Sequence, residues 1–411
     1  MIHFVYPPRP YLIEPNAQVG LGLLMLATYA RNLGLPVAVH NWQDGFGDTN
    51  LLRAAEDIIC VTGCLADARE INRLIAAYPG RVIVGGPISC SPDIVHAKAR
   101  LIVAGPGEWL IESIAGGTIP CARVLNTPPM QDFDRYPFPD RRLLGEHLGG
   151  RIFHRVAGVT PQPSTTLVTS RGCRFTCAFC ESGHSKTLHE YHLSRIEMEL
   201  DDIARLGIKH VRIGDDNLNA TPRRRRKLID MLALHKMKWR ASLRAAPSSL
   251  QLFTRMRDAG CVELNIGLES ADPAVLLRIG KRSTVSRITT AIEEAVEAGI
   301  PNVRALMMMG TPGETRDTLT FNKRWVEAHP DVTVCLTAFY PFPNTSIAFR
   351  PEEYGVRLRT TRNVNFYSWR PDGSEPDAHI DIIGGLSRQQ LTAQLREFRM
   401  FLDSREQLNH G

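Results

Sequence analysis

The sequence predicts an α/β protein in two parts: a doubly wound parallel sheet, then a partial barrel with a short C-terminal extension. Three observations predict it. Apolar, strand-like runs alternate with helix-period segments along most of the 411 residues, the pattern of parallel sheets covered by helices. The strands of the first third end repeatedly in Gly- or Pro-containing turns, where open α/β sheets bind their ligands. Past residue 160 the alternation restarts, and three cysteines, Cys173, Cys177 and Cys180, stand on one short stretch there.

The elements follow in order. IHFVY (2–6) is a buried-strand run broken by Pro7-Pro8, and VGLGLLMLATYARNLG (19–34) is a helix stopped at Gly34. PVAVHNW and AEDIICVTGC supply two more strands, and a helix runs through ADAREINRLIAAY. RVIVGGP is a fourth strand. ARLIVAGPGEWLIESIAGG repeats strand, glycine turn and helix. The domain spans 1–121, and a proline-rich connector holding PMQDFDRYPFPDRRLL fills 122–160. From 161 to 347, TTLVTS, KHVRIGDDN, WRASLRAAP, VELNIGLES, VRALMMMG and VTVCLTAFY are strands with helices between them. That is about six β/α repeats, fewer than the eight of a closed barrel. Residues 348–411 hold an aromatic segment, NVNFYSW, and a helix from near Ser387, and are expected to cap the substrate side.

Composition narrows the class. The chain is 43% hydrophobic and 22% charged, as soluble globular proteins are. A net charge of +6, with no Lys- or Arg-rich tail, predicts no nucleic-acid partner. The basic run Arg223 to Lys227 opens a helix and reads as a solvated face, with phosphate binding as the alternative. MIHFVYPPRP is not a signal peptide, and no window of about 18 apolar residues predicts a membrane span. Nine cysteines without a disulfide pattern predict a reducing, cytoplasmic compartment.

The stretch SRGCRFTCAFCESG carries the chemistry. Its C-x3-C-x2-C spacing is not that of a zinc ribbon, which separates two C-x2-C pairs. Three thiolates on one loop can hold three corners of a [4Fe–4S] cluster and leave the fourth iron open.

C-x3-C-x-aromatic-C resembles the signature of radical S-adenosylmethionine (SAM) enzymes. The resemblance implies that the open iron chelates the amino and carboxylate groups of SAM, and that an electron from the reduced cluster cleaves the sulfonium to a 5′-deoxyadenosyl radical. It implies an external low-potential electron donor and a TIM-like (β/α)6 barrel. It assigns SAM contacts to Phe179, Gly214, Asp215, Asp216, Ser242, Arg244, Gly267, Glu269, Met309 and Gly310. Gly214 to Asp216 would meet the methionyl amino group; a turn and helix cap is the plain alternative. Arg244 would pair with the methionyl carboxylate or form a barrel-mouth salt bridge. Asn265 to Ser270 is similar to the family's I-G-x-E-S strand end, and a buried Glu269 needs a partner. Met307 to Gly310 with Pro312-Gly313-Glu314 is similar to G-x-P-G-E-T, and Tyr340 to Thr345 to P-F-P-G-T with Asn344 in place of Gly. Cys335 and Tyr340 are the remaining catalytic candidates, Cys335 also reading as a buried structural thiol.

The turns of the first domain, as a set, resemble the Rossmann-like cobalamin-binding domain at the front of many of these enzymes. They are Pro8 with Gly20, Leu21 and Gly22; Thr62, Gly63, Cys64 and Leu65; Gly85, Gly86 and Pro87; and Gly105, Gly107 and Glu108. The D-x-H-x-x-G motif that would bring a histidine to cobalt is absent. Cys64 is either a soft ligand or a small buried residue. PFPDR (137–141) belongs to the same subclass pattern. The implied cofactors are a [4Fe–4S] cluster, SAM and cobalamin, and the implied reaction is methylation of an unactivated carbon. A cyclase, ring-contraction or oxidation enzyme of the same build, and a non-catalytic cobalamin or metal sensor, remain open. So does the substrate: small metabolite, lipid, or side chain of a peptide or protein.

Overall fold

Strand β1 (Ile2–Tyr6) is buried at all five positions, as a strand covered on both faces must be. In the computed structural model it pairs in parallel with β2 (Val37–Asn41) on one side and β3 (Ile58–Thr62) on the other. Helix α1 (Leu21–Asn32) joins β1 to β2, and Gly34 ends it at a φ of 80°. Helix α2 (Ala68–Ala77) leads to β4 (Val82–Gly85); β5 (Leu101–Ala104), α3 (Glu108–Ala115) and β6 (Val124–Asn126) complete a sheet of order β2-β1-β3-β4-β5-β6. The order reverses between β1 and β3. In sheets of this kind that switch point opens a crevice at the strands' carboxyl ends.

The described residues are 1–9, 20–42, 47, 51–52, 54–130, 132–147, 156, 158–160, 162–181, 188–218, 221–245, 247–359 and 378–409; NVNFYSW lies outside them. Among them the chain forms two compact units, one built on 1–147 with 163–166, the other on 167–359 and 378–409. Strand β6 comes from the stretch expected to be a connector. Its three residues are too few for any periodicity to show in the sequence. Asp140 of PFPDR is held against α1, its backbone N–H donating to Thr28 Oγ1 at 2.9 Å and its carboxylate pairing with Arg31 at 2.8 Å.

The second sheet takes its strands in chain order: β7 (Ser164–Leu167) at one edge, with β8 (Ser170–Gly172) and β9 (Leu188–Glu190) forming a separate antiparallel ribbon. Next come α4 (Leu193–Arg205), β10 (His210–Ile213), α5 (Pro222–Leu234), β11 (Lys238–Leu243), α6 (Leu250–Asp258) and β12 (Cys261–Glu269). Helices α7 (Pro273–Arg278) and α8 (Val285–Glu297) precede β13 (Asn302–Met309), and α9 (Arg316–Ala328) precedes β14 (Thr333–Ala338). The order β7-β10-β11-β12-β13-β14 never reverses, as in a barrel wall; six strands make a partial barrel. On β13, Val303, Ala305, Met307 and Met309 are buried while Arg304, Leu306 and Met308 are half-buried. That period of two puts one face on the helices and the other inside the barrel. Ser249, Thr284 and Thr315 accept hydrogen bonds from the first turns of α6, α8 and α9, so these helices start where the strand-end turns require. The extension comprises α10 (Ser346–Phe349), the antiparallel pair β15 (Val356–Leu358) and β16 (Ile380–Ile382), and α11 (Arg388–Asn409).

Candidate functional site

The three cysteines lie on the loop that leaves β8, and each is half-buried. The loop is held at its entrance by Asp215. This buried carboxylate accepts from Thr169 N, Thr169 Oγ1 and Ser170 Oγ, each at 2.6 Å. Burial pushes the Asp215 carboxyl up, and the three donors oppose that shift by stabilising the charged form. The middle of the loop is pinned through Ala178, whose N–H donates to Ile279 O at 3.0 Å and whose carbonyl accepts from Ile347 N at 3.3 Å. Ala178 packs in an apolar cluster with Phe339, Ile347, Val356 and Ala378, and Phe179 lies against it. An alanine between two ligands is buried, so the neighbouring thiols are presented while the backbone stays fixed. Cys180 N donates to Cys177 O at 3.2 Å, closing the turn between the second and third thiols.

Around the loop stand the strand ends. Gly214 N donates to Leu167 O at 2.8 Å, Asp216 is exposed, and Asn217 Oδ1 accepts from Arg244 N at 3.0 Å. Ser242 Oγ accepts from Asn265 Nδ2 at 3.4 Å. Arg244 turns its guanidinium onto the cysteine loop: Nη1 donates to Cys177 Sγ at 3.0 Å, Nη2 to the Lys281 carbonyl, and the group lies 4.0 Å from the Phe175 ring centroid. The alternative barrel-mouth salt bridge does not form among the described residues; the carbonyl and thiol take its place.

Strand β12 breaks register between Gly267 and Glu269, and Glu269 has a φ of 66°. The irregularity turns its carboxylate onto Lys281, Nζ to Oε1 at 2.6 Å, with both side chains buried. A Cβ on Gly267 would come within 2.4 Å of Glu269 Oε1 and 2.6 Å of Lys281 Nζ, so only glycine leaves room for the pair. Lys281 is the partner that burial demanded for Glu269, and no pattern around Gly280-Lys281 announced it. Met309 is fully buried, its sulfur accepting from Asn322 Nδ2 at 3.1 Å; Gly310 turns at a φ of 81°. Within the barrel, Cys335 Sγ accepts from Arg304 Nη2 at 2.6 Å, a contact that the motif pattern did not reveal. Tyr340 packs edge-on against His379 with centroids 5.0 Å apart, and burial drives the His379 imidazole down to about 3, so it is neutral.

In the first unit the four glycine turns fall at the carboxyl ends of β1, β3, β4 and β5. Gly63 N and Gly85 O meet at 3.4 Å, and Ile88 N donates to Gly63 O at 3.0 Å, so two turns brace each other. Gly86 has a φ of 82°, and a Cβ there would lie 2.2 Å from Thr62 Oγ1. Gly105 has a φ of 114°, and a Cβ on Gly107 would meet Leu26 at 2.8 Å. Gly22 has open space around it, Leu21, Leu65 and Pro8 are buried, Gly20 is half-buried and Pro87 is exposed. Glu108 starts α3 and is buried. Asp67, wholly buried, joins the post-β1 and post-β3 segments: it accepts from Arg9 Nε at 3.2 Å and from Cys64 N at 2.8 Å. The Cys64 thiol also donates to Asp67, at 3.4 Å, and burial pushes its pKa up to about 11.

A family model described as the Radical SAM superfamily matches residues 167–322, which hold the cysteine loop and the strands from β8 to β13. Residues 167–322 are similar to a radical SAM domain. An uncharacterized methyltransferase from Pyrococcus horikoshii is 27% identical over 348 residues, covering 76% of this chain and 71% of the relative. The radical SAM methyltransferase TsrM from Kitasatospora setae, solved with cobalamin and a [4Fe–4S] cluster bound, superposes with a TM-score of 0.67 at 16% identity, over 97% of this chain and 90% of that one. The cobalamin-dependent radical enzyme OxsB, solved with aqua-cobalamin and SAM, superposes with a TM-score of 0.63 at 20% identity, over 86% of this chain and 55% of that one. At such identities the shared property is the fold, a doubly wound sheet and a partial barrel in one chain.

The donor set of the three-cysteine loop fits an iron–sulfur cluster: three half-buried thiols outside any disulfide, on a loop braced at both its entrance and its centre. Among the described residues no three His, Cys, Asp or Glu side chains converge on a single-ion site. A cluster that takes one thiolate per iron does not require them to.

Proposed function

We propose that this protein is a cobalamin-dependent radical SAM methyltransferase acting on an unactivated carbon. The observation that carries the reading is the pairing, in one chain, of the braced three-cysteine loop with a doubly wound sheet whose glycine turns gather at one edge. When bound, the cluster, SAM and cobalamin would supply the electron, the radical chemistry and the transferable methyl group.

The chain's own residues would bind and orient. Cys173, Cys177 and Cys180 would hold three irons, with Asp215 fixing the loop that carries them. Gly214 and Asp216 would meet the methionyl ammonium, and Ser242, Gly267 and the Glu269–Lys281 pair would order the nucleoside side. Phe179, Met309 and Gly310 would line the adenine edge. In the first unit, the turns at Pro8, Gly20 to Gly22, Thr62 to Leu65, Gly85 to Pro87 and Gly105 to Glu108 would receive the corrin. Burial pushes the Cys64 thiol up to about 11, so without a metal it stays protonated and donates to Asp67; the turn itself supplies no imidazole. We place the enzyme in the cytoplasm, where nine thiols outside any disulfide stay reduced, with an external low-potential donor as partner. No described helix is long and apolar enough to cross a membrane.

Anaerobic reconstitution with iron, sulfide and hydroxocobalamin tests the reading. About four irons per chain, corrinoid absorbance bands and reductive SAM cleavage are expected. Cys177→Ala should reduce cleavage at least about a hundredfold, since the loss of one ligand exposes the cluster. Four irons without corrinoid bands would leave a radical enzyme with no cobalamin. A product that loses two hydrogens instead of gaining CH2 would make it an oxidase or cyclase.

A further inference from the structure

Arg244 stands one residue beyond β11, and its planar fork is engaged on every side. The backbone N–H is tied to Asn217, Nη1 donates to Cys177 Sγ at 3.0 Å, Nη2 donates to the Lys281 carbonyl, and the guanidinium plane lies against Phe175 at 4.0 Å. The ammonium of Lys281 is itself held by Glu269 at 2.6 Å, which fixes the segment that presents the accepting carbonyl. A guanidinium can make two divergent hydrogen bonds and a stacking contact at once; an ammonium cannot hold that geometry. The cation is therefore positioned on one sulfur of the three-thiol loop.

We propose that Arg244 sets the reduction potential of the cluster by donating a charge-assisted hydrogen bond to the Cys177 sulfur. The proposal rests on the assignment of a [4Fe–4S] cluster to these cysteines. Reduction brings one electron from the low-potential donor and places additional negative charge on the cluster and its sulfurs. A cation within hydrogen-bonding distance stabilises that form more than the oxidised one and raises the potential. The half-buried site strengthens the effect, because solvent screens it less than at an open surface. No bond forms or breaks at Arg244; it acts through Cys177 as a positioning residue. Its preference for the sulfur also departs from the carboxylate contact that the motif pattern suggested, and the two roles have different signatures.

The test is a dye-mediated redox titration followed by EPR, on full-length reconstituted protein without SAM, for the wild type, Arg244→Gln and Arg244→Lys. With full iron content in each, Arg244→Gln should show about a tenfold lower ratio of reduced to oxidised cluster at fixed poise, a 59 mV shift to more negative potential for one electron. Arg244→Lys, which keeps the charge but not the fork, should fall between. Unchanged midpoints in iron-loaded variants would overturn the proposal; if SAM affinity alone falls, Arg244 serves the carboxylate. Should Arg244→Gln lose iron, the Lys variant decides: a more negative midpoint supports the proposal and a wild-type midpoint sinks it. A wild type that takes up no iron would overturn the cluster assignment itself, an outcome separable from all of these.

Discussion

Gly267 is a glycine because an ion pair occupies the space beside it. Gly267→Ala should force Glu269 and Lys281 to shift together and cost about 1–3 kcal/mol, read as a lower denaturant midpoint and weaker SAM binding. Lys281→Met should cost more, about 3–5 kcal/mol, because it leaves a buried carboxylate uncompensated; adding Glu269→Gln should recover part of the loss. Glu314 adds a pH dependence. Its Oε1 accepts from Thr311 N at 2.7 Å and Thr311 Oγ1 at 2.8 Å, its Oε2 is buried without a partner, and burial raises its pKa from 4.5 to about 7. A carboxyl whose pKa is raised on folding stabilises the protein in its protonated form. The contribution is complete below pH 4.5 and is lost as pH rises through about 7. It is on the order of 3 kcal/mol. Melting temperatures of the wild type should therefore fall relative to Glu314→Gln between pH 4.5 and 8, and parallel curves would refute this. At this scale the sequence located Gly267 and Glu269 but not Lys281, because the lysine lies twelve residues beyond its partner and meets it only across the strand-end irregularity.

At the scale of elements, the cysteine loop depends on parts remote in sequence. Asp215, on the turn after β10, holds the residues that lead into it, and Ala178 is bonded to the end of α7 and the start of α10. Asp215 therefore has a larger structural task than its expected place beside the methionyl amino group implies. Asp215→Ala should strand one buried N–H and two hydroxyls, cost about 3 kcal/mol, and lower the iron retained per chain after desalting. An Asp215→Ala protein with wild-type iron and stability would rule this out. The strands of the barrel were legible because β13 and its neighbours run six to nine residues with strong apolar content. Strand β6, three residues long, was not, since its only support is the parallel ladder to β5.

At the scale of the whole molecule, two compact units each carry one candidate cofactor edge. If the corrin turns belong wholly to the first unit, replacing Cys173, Cys177 and Cys180 together with Ala should abolish iron binding while corrinoid bands persist at wild-type stoichiometry. Loss of both in a protein that remains folded would show that cobalamin binding requires the cluster.

The sequence by itself determined the alternation of strands and helices, the three-thiol loop with its open fourth corner, and the glycine turns at strand ends. Each is local: periodicity, spacing and backbone freedom are properties of neighbouring residues. Tertiary structure decided the partners. It placed Lys281 on Glu269, Arg304 on Cys335 and Arg9 on Asp67, and it set the Arg244 guanidinium as a donor on Cys177. Buried polar groups must be satisfied by whatever the fold brings within about 3 Å. Which group that is depends on strand register and loop path, and these emerge only when distant segments pack.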